Sequence, residues 1–156
     1  MGRRGEEGRK GPSDLQRPVS VPVAPDDAPP DALFAEARGA LERGDRRHAR
    51  ASIESLMSAL EAHFALEDRV YFPSLCALQP GVEPDVRVLQ REHGKLREHL
   101  ASIASRLDAQ EDPADLMPSF QGLVSAFREH EVREESILVA VESGLTEIDT
   151  GPERSA

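Results

Sequence analysis

Five polar residues stand where the surrounding helical pattern is apolar: His63, Glu67, His93, His130 and Glu134. An unpaired polar group at a buried position is costly, so each of these side chains needs a partner. Imidazole nitrogen and carboxylate oxygen are common metal ligands, and helical bundles build metal sites from facing side chains. The residue types therefore predict a metal site.

The two glutamates each follow a histidine by four residues, as in His63-Glu67 and His130-Glu134. Four residues of helix advance about 6 Å and turn about 400°, so the members of each pair share one helix face. A lone histidine of this kind is more often a hydrogen-bonded core residue, and a lone His-Glu pair is common on helices. Three such histidines, two with the same glutamate spacing, favour metal binding over that alternative.

Four stretches of helical periodicity must position these residues. Breakers at Gly44-Asp45, at 79–84 and at 109–113 separate them. The predicted helices cover about 31–43, 46–77, 85–108 and 114–145. Short connections favour antiparallel neighbours, so the predicted fold is all-α, an up-down-up-down four-helix bundle.

In each of the last three predicted helices, residues at steps of three or four form a row that predicts the buried face, which we call the seam. The seams are Ile53, Leu56, Leu60, His63, Glu67 and Val70; Val86, Leu89, His93, Leu96, Leu100, Ile103 and Leu107; and Leu116, Phe120, Leu123, Phe127, His130, Glu134, Ile137 and Val141. His93 and His130 both lie about 22 to 24 Å from the connection between their helices, at 1.5 Å per residue. They are expected at one level of the bundle.

Composition limits the function classes. The chain has 156 residues, with 19 Lys plus Arg against 29 Asp plus Glu and a net charge of -10, which disfavours nucleic-acid binding. No apolar segment is long enough for a membrane span. Residues 1–30 are predicted to be a disordered arm, 31–145 the bundle and 146–156 a short tail. One cysteine and no apolar leader predict a soluble protein of the reducing cytoplasm.

Three other reactive side chains are predicted to lie outside the site. His48 precedes His63 by 15 residues, which is about 22 Å along the axis. His99 is rotated by about 240° from His93, so both residues are expected at the surface. Cys76, near the end of the second helix, is predicted to be a small buried or half-buried residue.

Three segments resemble the hemerythrin-like family, also called HHE cation-binding domains. "HFALEDRVYFP" (63–73) and "REHEVREESIL" (128–138) resemble its two His-x-x-x-Glu helices, and "REHGKLREHL" (91–100) resembles its third helix. The resemblance covers about 31–145. It implies a four-helix bundle that holds a non-haem di-iron centre.

By position, the resemblance implies that His93 and His130 bind one iron and that His63 helps bind the other. It implies that Glu67 and Glu134 bridge the two. Imidazole plus carboxylate ligation with open positions suits iron, and manganese or zinc are the alternatives.

The sequence departs from the family in the first helix, which has no histidine. Counting back from Gly44-Asp45, the level of His63 falls near Asp26 and Asp27. One of these carboxylates replaces the histidine, or water does, or the second metal is lost, leaving a mono-iron site. The more common role for Asp27 is a helix N-cap. On the third helix, Arg97 occupies the position of a further family histidine and cannot ligate.

Three function hypotheses follow. The first is an iron protein that binds or senses dioxygen, nitric oxide or iron itself, with Tyr71 lining the pocket. The alternative is a degenerate, metal-free bundle that serves as a protein-interaction module, whose partner the sequence does not identify. Catalysis ranks below binding or sensing.

Overall fold

The computed structural model describes residues 29–149, with side chains up to residue 144, and this part of the chain is helical without strands. Its elements are α1 (Pro30–Glu42), α2 (Arg46–Leu66), a π-helical turn (Glu67–Tyr71), α3 (Phe72–Leu78), α4 (Glu83–Asp108) and α5 (Met117–Asp149), with short 3-10 turns at Pro80–Val82 and Pro113–Leu116. The π-helical turn joins α2 and α3 into one rod, which is the second predicted helix. The prediction of an all-α four-helix bundle is confirmed, since α1 packs on α2 and α5, α2 on α4, and α4 on α5.

The first helix begins at Pro30, one residue earlier than predicted. Its N-cap residue is Pro29, which offers no side-chain acceptor, and no side-chain hydrogen bond caps this end. The interpretation of Asp27 as the N-cap of this helix is therefore wrong. Asp26 and Asp27 themselves, with the rest of the predicted arm, lie outside the described residues, as does most of the predicted tail.

The buried apolar side chains form two separate clusters along the bundle. The larger one lies at the end of the bundle that α1 covers and extends from Phe34 to Phe127 in sequence. The smaller one includes Phe72, Leu89 and Ile137. Glu67, His93 and His130, each exposed by 1% or less, come between the two clusters along their helices. The candidate ligands are thus a polar layer between two apolar regions.

The predicted seam is correct for α4 and α5, but it fails at Val70 in the second helix. Val70 is 47% exposed, whereas Phe72 is 1% exposed. The reason is the π-helical turn, in which the Phe72 N–H bonds to the Glu67 carbonyl, five residues earlier. The next residue, Pro73, has no N–H for an α-helical bond. The inward step after Glu67 is therefore five residues, and Phe72 replaces Val70 in the core.

The first helix covers only part of the bundle. At 1.5 Å per residue, the 13 residues of α1 span about 20 Å and the 33 residues of α5 about 50 Å. Phe34, near the start of α1, contacts Phe127 at a ring-centroid distance of 5.2 Å. Phe127 lies about one helical turn before His130. As a result α1 begins close to the polar layer, and the side chain of His63 remains 33% exposed.

None of the described helices combines the length and the apolar character that a membrane crossing would require.

Candidate metal centre

Three fully buried side chains from three helical segments form the inner group: Glu67, His93 and His130. His93 Nε2 lies 3.0 Å from Glu67 Oε2 and 3.2 Å from His130 Nε2. His130 Nε2 lies 3.9 Å from the same glutamate oxygen. Atoms that share one metal ion at about 2.1 Å lie about 3 to 4 Å from one another, so these separations suit a common ion.

The other nitrogen of each buried imidazole faces a carboxylate. His93 Nδ1 donates to Asp68 Oδ1 and His130 Nδ1 donates to Glu92 Oε2, both at 3.1 Å. A carboxylate can only accept, so each contact favours the tautomer with the proton on Nδ1, which leaves a lone pair on Nε2. This is the state in which histidine binds a metal.

In that tautomer the centre of the inner group contains acceptors only. Glu67 Oε2 is buried and has no hydrogen-bond partner among the described residues, although both Nε2 atoms are close to it. Two imidazole lone pairs and a carboxylate oxygen converging in a buried space repel one another unless a cation lies between them. The donor set therefore fits a metal ion.

Aromatic rings hold the inner group in place and keep water away. The His93 ring is stacked between Phe64 and Phe72, at centroid distances of 4.1 and 5.6 Å and an interplanar angle of 16° in both cases. The Arg97 guanidinium also lies over the Phe64 ring, 5.3 Å from its centroid. His130 meets the edge of Phe64 at 5.9 Å. These contacts fix the ring planes and provide an apolar wall.

A second cluster, the outer group, consists of His63, Glu67, Glu131 and Glu134. His63 Nε2 lies 2.8 Å from Glu67 Oε1 and 3.3 Å from Glu131 Oε1. One ligand atom of each residue lies within 4.8 Å of all the others. Apart from the buried Glu67, the members of the outer group are half-buried. Glu134 belongs to this group and not to the inner one.

Glu67 links the two groups, because Oε1 faces His63 and Oε2 faces His93 and His130. Burial alone would raise the pKa of Glu67, but contacts with His130, His63 and His93 outweigh burial and hold that pKa well below its usual range. Glu67 is therefore a charged carboxylate between two sets of nitrogen ligands, which is the position of a bridging ligand.

Negative charge dominates the outer group. Contacts with Glu131 and then Glu67 raise the pKa of His63 to about 10. Burial, followed by the charges of Glu67 and Glu131, raises the pKa of Glu134 to about 7. Burial and the charges of Glu67 and Glu134 also raise the pKa of the half-buried Tyr71, whose role in lining the pocket stays a prediction.

The family model described as hemerythrin HHE cation-binding domain matches residues 31–141 of the sequence. The chain belongs to this family. Searches of curated proteins and of solved structures gave no significant match. Family membership and the donor geometry together support cation binding by this HHE domain.

The structure brings together all five residues that the sequence singled out. His93, His130 and Glu67 meet in the inner group, while His63 and Glu134 join Glu67 in the outer group. Their role as ligands stays a prediction.

Sequence reasoning missed three residues of the HHE domain's centre: Glu131, Asp68 and Glu92. Each is next to a candidate ligand in sequence, and neighbours on a helix point about 100° apart. Asp68 and Glu92 reach histidines on other helices, so only the packing of the helices reveals these contacts. A search for acidic residues adjacent to the candidate ligands would have found all three.

The residues of the HHE domain that the sequence placed outside the metal site lie away from both ligand groups. His48 contacts Glu36 at 3.1 Å, and His99 pairs with Ser119 at 3.1 Å, so each histidine has its own partner away from the ligand groups. His48 and His99 are both half-buried rather than at the surface as predicted. The predicted half-buried position of Cys76 is confirmed. Arg97 does not ligate and donates to Glu61 at 2.6 Å.

Proposed function

We propose that this chain is a cytoplasmic non-haem iron protein that binds or senses dioxygen, nitric oxide or iron itself at the core of its bundle. His93, His130 and Glu67 would hold one ion, and His63, Glu67 and Glu134 would hold a second. Bound iron would supply an exchangeable coordination position for a diatomic ligand. Manganese or zinc in the same positions would be the competing cofactors.

The position of Glu67 is the observation that carries the proposal. This buried carboxylate has one oxygen in each ligand group, and within residues 29–149 its Oε2 has no hydrogen-bond partner. A structural polar network would be expected to satisfy every buried acceptor. Here the unsatisfied acceptor faces two imidazole nitrogens, as a metal site requires.

The surrounding residues determine how a ligand reaches the centre. Phe64 and Phe72 enclose the His93 ring of the inner group, and the Arg97 guanidinium lies over Phe64. On the side beyond α1, His63 and Glu131 have side chains that are 33% and 42% exposed. A small ligand would therefore approach through the outer group, past His63.

Metal loading of the full chain tests the proposal. The metal-free protein is incubated with Fe²⁺ under argon and desalted, and its iron content and absorbance are measured before and after exposure to air or nitric oxide. We expect bound iron and a ligand-dependent absorbance change in the wild type. We expect both to be strongly reduced in His93→Ala.

His48→Ala is the matched control, because His48 is also on the bundle but contacts Glu36 away from the ligand groups. It should behave as the wild type. If the wild type, His93→Ala and His48→Ala all retain no metal, the proposal is wrong, and the metal-free interaction module becomes the better hypothesis.

A further inference from the structure

The outer group lacks the first-helix histidine, yet it contains a carboxylate that the family pattern does not predict. Glu131 Oε1 lies 3.3 Å from His63 Nε2 and shares one 4.8 Å cluster with Glu67 and Glu134. Glu131 directly follows His130 in sequence. One turn of α5 therefore supplies side chains to both groups.

We propose that Glu131 is a metal ligand that takes the place of the missing histidine and turns the outer group into an oxygen-rich site for hard cations such as Mn²⁺ or Fe³⁺. This inference rests on the proposed function and deepens it. The two positions are then chemically different. The inner group offers two imidazole nitrogens and one carboxylate, whereas the outer group offers one imidazole and three carboxylates.

The charges of the outer group argue against a purely structural role for Glu131. Three carboxylates converge there, and only His63 faces them as a positively charged partner when protonated. Among the residues whose side chains are described, no lysine or arginine forms an ion pair with Glu131 or Glu134. The nearby Arg133 is paired with Glu92 instead. A divalent or trivalent cation would balance this excess of negative charge.

The ligand types and the burial predict different behaviour for the two positions. Carboxylate oxygens suit hard cations such as Mn²⁺, while imidazole favours Zn²⁺ and Fe²⁺. The inner histidines are exposed by 1% or less, whereas His63 and Glu131 have side chains that are 33% and 42% exposed. The outer ion should therefore bind more weakly and exchange first.

Titration with Mn²⁺ alone tests the inference. Metal-free full-length protein is titrated while free Mn²⁺ is followed by electron paramagnetic resonance, and the bound equivalents per chain are counted. We expect two equivalents in the wild type, one tighter than the other. Glu131→Gln keeps the size of the side chain but removes its charge, and should weaken the second equivalent by ~10-fold or more.

Two further variants sharpen the result. Glu129→Gln removes an exposed charge two residues away on α5, outside both groups, and should titrate as the wild type. Glu131→His restores a nitrogen ligand. It should raise the preference of the second equivalent for Zn²⁺ over Mn²⁺ by ~10-fold or more, since imidazole suits zinc and carboxylate suits manganese.

The outcomes separate this inference from the proposed function. If Glu131→Gln and Glu131→His both keep two equivalents with wild-type affinities, Glu131 is not a ligand. If the wild type binds one tight equivalent only, the outer site is refuted while the inner group stands. Failure of the wild type to bind Mn²⁺, Fe²⁺ or Zn²⁺ would overturn both.

Discussion

Glu67 contributes one carboxylate oxygen to each ligand group, so a change at this residue affects both groups at once. Glutamine has the same size but replaces one oxygen with an NH₂ donor, which cannot bind a cation. We expect Glu67→Gln to weaken iron binding by at least ~100-fold. This loss is larger than the one expected when a residue that only hydrogen-bonds to a metal ligand is removed. Metal analysis after desalting measures the effect.

Glu54→Gln provides the control for that experiment. Glu54 is an exposed glutamate on the same helix and pairs with Arg50 at the surface. It should retain the iron content of the wild type. Equal iron in Glu67→Gln and Glu54→Gln would contradict the assignment of Glu67 as the shared ligand.

Glu92 acts on the site through His130, because its carboxylate accepts a hydrogen bond from His130 Nδ1. Arg133 in turn forms an ion pair with Glu92. In Glu92→Gln the side-chain amide can donate to Nδ1 and favour the tautomer with its proton on Nε2, the wrong state for a metal ligand. We expect metal affinity to fall by about 10- to 100-fold. Competition with a colorimetric chelator measures it.

The matched variant is Glu98→Gln, an exposed glutamate on the same helix. Its affinity should equal that of the wild type. If Glu92→Gln and Glu98→Gln bound metal with the same affinity, the contact of Glu92 with His130 would have no effect on metal binding.

At the level of single elements, regular helical periodicity in the sequence was enough to predict which residues of α4 and α5 face the core. Every predicted seam residue of α4 is buried, and in α5 only Glu134 remains half-buried. The π-helical turn was missed because a period of 3.6 residues contains no signal for one extra residue. Pro73 was the available clue, since a proline inside a helical pattern removes a backbone bond.

The predicted site shows a similar division. Spacing on a single helix was enough to pair His63 with Glu67 and His130 with Glu134. Contacts between helices depend on their rotation and tilt, which the sequence does not express directly. For this reason Glu131, facing His63 across the bundle, became visible only in the structure.

Two helix ends test how turn chemistry stabilises the bundle. Gly44 and Gln110 both have φ of 66° and follow the C-cap of a helix, where their N–H groups bond to Leu41 and Leu107. This left-handed conformation costs a residue with a Cβ about 1–2 kcal/mol, and the greater freedom of unfolded glycine offsets part of any gain. Gln110→Gly should therefore stabilise the fold by up to about 1 kcal/mol.

The reverse change, Gly44→Gln, should destabilise the fold by about 1 kcal/mol, because a Cβ at this position meets open space and only the backbone is strained. Urea unfolding of the metal-free protein measures both free energies. If the two variants shifted the unfolding free energy in the same direction, backbone conformation would not be the cause.

Across the whole molecule, the ligand groups separate two apolar clusters that would otherwise form one core. The layer of Glu67, His93 and His130 packs against aromatic rings, but with both imidazole protons on Nδ1 its acceptors repel one another unless a cation is present. A metal ion would convert this layer into a link between α2, α4 and α5. Metal binding and folding should therefore be coupled, since the unfolded chain does not preserve the site.

This coupling predicts a metal-dependent melting temperature. At a free metal concentration 100 times the dissociation constant, binding stabilises the native state by about 2.7 kcal/mol. For a domain of this size, that corresponds to an increase in Tm on the order of 10 °C. Thermal unfolding followed by circular dichroism, with iron and then with a chelator, measures the shift. Glu67→Gln should melt at nearly the same temperature under both conditions, because it lacks the shared ligand. If the chelator lowered the Tm of this variant as much as that of the wild type, the stabilising metal would lie outside the two ligand groups.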